Sequence, residues 1–198
     1  MRIRTLTVGA LAVVTALTLA GCTNPGEEME GMDHGSASAA PDASAKAIAT
    51  AQADIDFAMN MIAHHQQAVE MSDVLLAKEG TIAQVAELAE RIKAAQQPEI
   101  ETMREWLSAW GQDPEMEGMH HGDGMMSADD MAALQEADGP AASRLFLEQM
   151  IVHHEGAVEM AEQQLSAGKD ADALELAQRM IDDQTAEIDE MRSMLDAL

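Results

Sequence analysis

The sequence predicts an all-α domain, a four-helix bundle assembled from two copies of one helical hairpin. Composition points there first. Hydrophobic residues make up 47% of the chain but aromatic residues only 2%, while methionine reaches 17. A core filled by Ala, Leu, Ile, Val and Met, with few β-branched runs, favours helices. The second observation is an internal repeat. DFAMNMIAHHQQAVEMSDVLL (56–76) aligns with LFLEQMIVHHEGAVEMAEQQL (145–165) at an offset of 89, and LAERIKAAQQPEIETMREWL (88–107) aligns with LAQRMIDDQTAEIDEMRSML (176–195) at an offset of 88. One residue is lost in the hairpin loop between them. Each half therefore reads as helix-turn-helix, and two halves close a bundle with a pseudo-twofold axis.

The chain opens with Arg2 and Arg4, an apolar run over 6–19, and Leu19-Ala20-Gly21-Cys22. This is the layout of a secretory signal peptide over residues 1–21. The run is shorter than the roughly 20 residues of a membrane-spanning helix. Leu-Ala-Gly-Cys is similar to the bacterial lipobox, which implies that Cys22 is lipidated. The protein is then exported and anchored by its lipid to the outer face of the cytoplasmic membrane or to the outer membrane. Cys22 is the only cysteine, so intramolecular disulfides, thiolate metal sites and Cys-x-x-Cys-His haem attachment are excluded. Any soft ligand must be a thioether.

Residues 22–50, rich in Gly, Ser, Ala, Pro and acids, read as a flexible tether. The domain is expected over 51–198, with repeat one at 51–110, a Met/His-rich linker at 111–127 and repeat two at 128–198. From Asp54 the helical period appears, with Phe57, Met61, His64, His65, Ala68, Met71 and Leu75 on one face. Gly80 stops this helix and Thr81 can cap the next. The second helix runs to about Trp110, and Pro98 inside it should kink or split it. Ser127 or Asp129 caps a short helix that ends near Ala137 before Gly139-Pro140. A long helix follows over about 141–167, stopped by Gly168, and a last one starts at about Asp170.

Without residues 1–21, the remaining 177 residues carry 9 basic and 36 acidic side chains, a net charge of −27. Such a surface repels nucleic acid and anionic headgroups and attracts cations. Nucleic-acid binding is excluded on this ground. No Ser-His-Asp arrangement, phosphate-binding loop or paired carboxylate motif is present, so no enzymatic activity is expected.

The two His-His pairs carry the candidate chemistry. On a helical wheel at about 100° per residue, His64, His65, Met61 and Met71 all face the apolar side, and Glu70 faces water. His153, His154, Met150 and Met160 repeat the pattern. Met103 and Met191 face the same interior from the partner helices, and the pseudo-twofold axis would bring imidazoles and thioethers toward one level. Glu99 and Glu187 could orient the imidazoles. A lone inward His is more often a packed core residue than a ligand, but buried imidazoles need partners, and here the neighbours are apolar or sulfur.

Bundles that hold two irons use Glu and Glu-x-x-His. Three residues before His64 stands Met61, and three before His153 stands Met150, so the carboxylate is missing where that chemistry needs it. Imidazole with thioether favours copper, Cu(I) in particular, with Ag(I) as the alternative ion. Polar segments add Met29, Met32 and His34 in the tether, and Met116, Met119, His120, His121, Met125 and Met126 in the linker. Core methionines such as Met59, Met131, Met180 and Met194 are explained by packing. Methionines among Glu, Gly and Asp have no core to fill, and they read as exposed metal-collecting segments.

HHQQAVEM and HHEGAVEM, each preceded by Met-Ile and followed by a Glu-Ile-x-x-Met helix, resemble the domain-of-unknown-function 305 family over about residues 51–198. The resemblance implies a ferritin-like helical fold, export and a link to copper binding and resistance. It maps the motif onto His64, His65, Met71, His153, His154 and Met160. The expected function is an extracytoplasmic copper-binding lipoprotein, a scavenger, buffer or chaperone that hands its ion to a copper-accepting protein. Two alternatives stand beside it. One is a ferritin-like metal oxidase using the four histidines with Glu99 and Glu187, and the other is a structural envelope lipoprotein whose acidic surface docks a partner.

Overall fold

The computed structural model describes residues 43–113 and 124–198, with side chains from residue 52 onward. The signal segment, Cys22, the tether up to residue 42 with Met29, Met32 and His34, and linker residues Met116, Met119, His120 and His121 lie outside the described residues. The described chain is helical: α1 (Ala43–Leu76), α2 (Ala83–Ala109), α3 (Ala128–Glu136), α4 (Gly139–Ala167) and α5 (Ala171–Ala197), with no strand among the described residues. None of these helices is long and apolar enough to cross a membrane.

The helices pack α1 on α2, α4 on α5 and α1 on α4, with α3 lying against α1 and α4. Their apolar faces form two clusters. One gathers Met71 and Leu75 from α1, Leu88 and Ile92 from α2, Leu134 from α3, Phe146 and Met150 from α4, and Ile188 and Met191 from α5. The other gathers Phe57 and Met61, Met103 and Leu107, Ala157 and Ala161, and Leu176 and Met180. Chain direction follows from the order in which each helix visits them. Helices α2 and α4 pass from the first cluster to the second, and α1 and α5 pass the other way. Hence α1 is antiparallel to both α2 and α4, and α4 is antiparallel to α5. Each buried Leu or Met side chain stabilises this arrangement by about 1.5–3 kcal/mol.

Between the clusters each long helix contributes buried polar side chains: His64 and His65, Gln96, His153 and His154, and Gln184. This polar layer costs stability unless its groups are paired, so its position inside the domain is the first pointer to function.

Two buried polar residues tie the halves together. Asp54 accepts hydrogen bonds from Gln164 Nε2 (2.7 Å), Lys169 N (2.9 Å) and Asp170 N (3.1 Å), which fixes the α4–α5 loop. Ser143 Oγ accepts from Ile82 N (3.0 Å) in the α1–α2 loop and donates to the Gly139 carbonyl. Asp54 and Ser143 are 89 positions apart, at matching places in the sequence repeat. Each half thus holds the loop of the other.

Several local expectations need correction. Helix α1 begins at Ala43, inside the predicted tether, because the Ala-rich run ASAKAIATAQ has high helix propensity even without an apolar face. Pro98 does not split α2, which is helical from Ala83 to Ala109. Both Pro98 and Ala94, whose carbonyl loses its partner, lie on the exposed side, where water can take over that hydrogen bond. Thr81 does not cap α2. Its hydroxyl donates to the Lys78 carbonyl, and the N-cap is Ile82, without a side-chain cap. Helix α4 starts at Gly139, with Asp138 accepting from Ala141 N. Ser127 does cap α3, in a capping box with Asp130.

Candidate metal centre

All four paired histidines are buried, between 0 and 1% exposed. The wheel placed them inward, and packing of α1 on α4 brings them together. The His64 and His153 rings face each other with centroids 3.7 Å apart and planes inclined by 38°. His65 and His154 turn away from that contact toward the partner helices. His65 Nε2 lies 2.8 Å from Glu99 Oε2, and His154 Nε2 lies 2.7 Å from Glu187 Oε2. The expected role of the two glutamates in orienting an imidazole is thus realised geometrically in both halves.

These contacts set the tautomer. A carboxylate only accepts, so each bonded Nε2 carries the proton, and in the neutral ring the lone pair sits on Nδ1. Nδ1 of His65 and Nδ1 of His154 are buried and lack a hydrogen-bond partner. Both ring nitrogens of His153 are likewise buried and make no hydrogen bond of ordinary geometry. Burial, reinforced by repulsion from His64, His154 and His65, holds the His153 imidazole well below its usual pKa, and interaction with the His64 backbone opposes this only weakly. His153 is therefore neutral at pH 7, the form in which an imidazole binds a metal. The glutamates are only partly buried, at 22% side-chain exposure each, so their side of the layer reaches solvent.

The thioethers do not converge on one level as expected. Met71, Met150 and Met191 lie in the first apolar cluster, whereas Met61 and Met103 lie in the second with half-buried Met160 packed against it. Antiparallel packing is the reason. Met61 and Met150 each precede their histidine by one turn, and opposed helices place them on opposite sides of the layer. His, Asp and Glu side chains do not gather in threes around a common point among the described residues.

Of the linker candidates, Met125 and Met126 are described, and both are half-buried. Met126 packs against the first apolar cluster, contrary to the expectation that linker methionines have no core to fill. Its backbone is held at both ends by one side chain. Met126 N donates to Gln67 Oε1 (2.7 Å), and Gln67 Nε2 donates to the Met126 carbonyl (2.9 Å). Met59, Met131 and Met194 also pack against the clusters, and Met180 is buried in one.

Sequence reasoning missed three glutamines. Gln96 and Gln184 are buried in the layer, the first with neither amide atom hydrogen-bonded and the second with an unpartnered Oε1. Their signal was available, since both sit 88 apart at core-facing positions three before Glu99 and Glu187. Gln67 was hidden because a half-buried glutamine beside a histidine pair looks like ordinary helix surface.

Comparison with known proteins gives the same fold in solved structures. A DUF305 protein of Streptomyces coelicolor, described as a candidate secreted protein, is 32% identical, with a TM-score of 0.68 over 73% of this chain and 93% of that one. A DUF305 fragment from Deinococcus radiodurans is 30% identical, with a TM-score of 0.67 over 74% of this chain and 97% of that one. CopM in its Cu(I)-bound form is 30% identical, with a TM-score of 0.62 over 73% of this chain and 96% of that one. CopM is also solved with Cu(II) and with silver bound. Among curated proteins none matches. The family model described as "Domain of unknown function (DUF305)" matches residues 54–195, which takes in both histidine pairs and both glutamates, and the chain belongs to that family.

Proposed function

We propose that this protein is an extracytoplasmic copper-binding lipoprotein that scavenges, buffers or passes on Cu(I), with Ag(I) as a competing ion. In this reading Cys22 carries the lipid anchor, and the helices form a ferritin-like four-helix bundle whose two hairpins are related by a pseudo-twofold axis. The copper is cargo, held by His64, His65, His153 and His154 with thioethers drawn from Met61, Met71, Met103, Met150, Met160 and Met191. The Met/His linker and tether collect the ion, a copper-accepting protein receives it, and no catalytic step is assigned.

The observation that carries the reading is the polar layer itself. Four imidazoles are buried at one level between apolar clusters, with lone-pair-bearing nitrogens of His65, His153 and His154 that meet no hydrogen bond. Such a layer costs stability in the empty protein, and a ligand would offset that cost. The one cysteine, Cys22, is taken up by the lipid in this reading, and the donors flanking the imidazoles are thioethers, a set that suits Cu(I). CopM in copper-bound and silver-bound forms supports the same assignment.

The test is an anaerobic Cu(I) titration of the exported chain against a competing chelator. A His65→Leu/His153→Leu variant and a variant with the linker Met and His residues replaced run alongside, with helicity checked for both. Tight binding that falls in the histidine variant is expected. Binding lost only in the linker variant reduces the bundle to a scaffold, and no tight binding in the parent overturns the copper reading.

A further inference from the structure

The end of the linker is pinned over one particular seam. Gly124 has φ +85, and a Cβ built on it would lie 2.7 Å from the Val152 carbonyl oxygen and 2.9 Å from Gly156 Cα. Its backbone therefore rests directly on α4, where a side chain on Gly124 would hold it off. Two residues later Gln67 of α1 grips Met126 through both amide atoms. Gln67 follows His64 by three residues, and Gly156 follows His153 by three. At about 100° per residue, both anchors sit about 60° round their helices from the two facing histidines, in the same sense. Residues 124–126 thus form a strap across the α1–α4 seam on the His64/His153 side, away from Glu99 and Glu187.

Gln67 and Gly156 are 89 apart, the same place in the sequence repeat. In one half the residue grips the strap, and in the other its backbone lies against Gly124. The half-buried Met126 side chain packs on the apolar cluster that holds Met71 and Met150. A thioether partly open to solvent therefore leads to buried thioethers beside the histidine layer.

Resting on the copper reading, we propose that Met126 is the entry ligand through which Cu(I) reaches the layer, and that Gln67 is the residue that positions it. The ion is taken from the linker side by the Met126 thioether, passes to the thioethers of the first cluster, and then to His153 and His64.

The test follows the rate of Cu(I) transfer, by anaerobic stopped flow, from a coloured Cu(I)–chelator complex to the exported chain, its Met126→Leu variant and its Gln67→Ala variant. Leucine keeps the volume and the backbone hydrogen bonds and removes only the sulfur, so a purely structural role for Met126 predicts no change. Both variants are expected to reach the parent's final copper content about tenfold more slowly, the scale on which partners that orient a ligand act. In the metal-free Gln67→Ala variant, the Met126 amide should also lose protection against hydrogen exchange. Loading of either variant at the parent rate overturns the proposal. A lower final copper content in Met126→Leu also overturns it, since Met126 would then be a holding ligand. A parent that takes up no Cu(I) overturns the copper reading and this inference with it.

Discussion

Acidification should weaken the metal-free fold through His153. Burial and the neighbouring imidazoles hold this group well below its ordinary pKa, so it stays neutral in the folded state while the unfolded chain takes up a proton near pH 6.5. The unfolded state then binds more protons than the folded state. Stability is complete above pH 6.5 and is lost as pH falls below it, down to the folded-state pKa. With the imidazole neutral throughout, one such group costs up to about 2 kcal/mol between pH 7 and pH 5. The acidic surface pulls the other way, because protonating crowded carboxylates relieves repulsion. The quantity to measure is therefore a difference between proteins. Urea unfolding of the metal-free parent and of His153→Leu, at pH 7, 6 and 5 with chelator present, gives two stability profiles. The parent should lose up to about 2 kcal/mol more than the variant across that range. Identical profiles would mean that His153 titrates normally in the folded protein, and the burial of its imidazole as the cause of its lowered pKa would be refuted.

Two further outcomes follow from the same contacts. Asp54→Ala leaves Lys169 N and Asp170 N without their carboxylate, and should cost about 2–4 kcal/mol in urea unfolding at pH 7; a loss below 1 kcal/mol would show that water replaces the carboxylate. Glu99→Gln and Glu187→Gln replace an acceptor-only carboxylate with an amide that can also donate, so the tautomers of His65 and His154 are no longer fixed, and each should weaken Cu(I) affinity about tenfold in a chelator competition. Unchanged affinity in both would remove the glutamates from the site.

Much of this protein was written in one dimension. The helical period and the repeated His-His segments determined that the chain is helical and that His64, His65, His153 and His154 face inward, because a 3.6-residue period fixes which side chains share a face. The spacing of Glu99 and Glu187 in the aligned second helices likewise marked them as partners for the imidazoles. Packing decided the rest. The Pro98 helix stays whole because the lost hydrogen bond falls on the solvent side. The methionines separate into two groups because α1 and α4 run in opposite directions, and strand or helix direction is not encoded in any local pattern. The meeting of His64 with His153 and the hold of Gln67 on Met126 join residues 89 and 59 positions apart, and the burial of Gln96 and Gln184 likewise depends on the helices packed over them. Such contacts depend on which helix faces meet, a choice made by the burial of the whole apolar surface and legible only once the helices are packed.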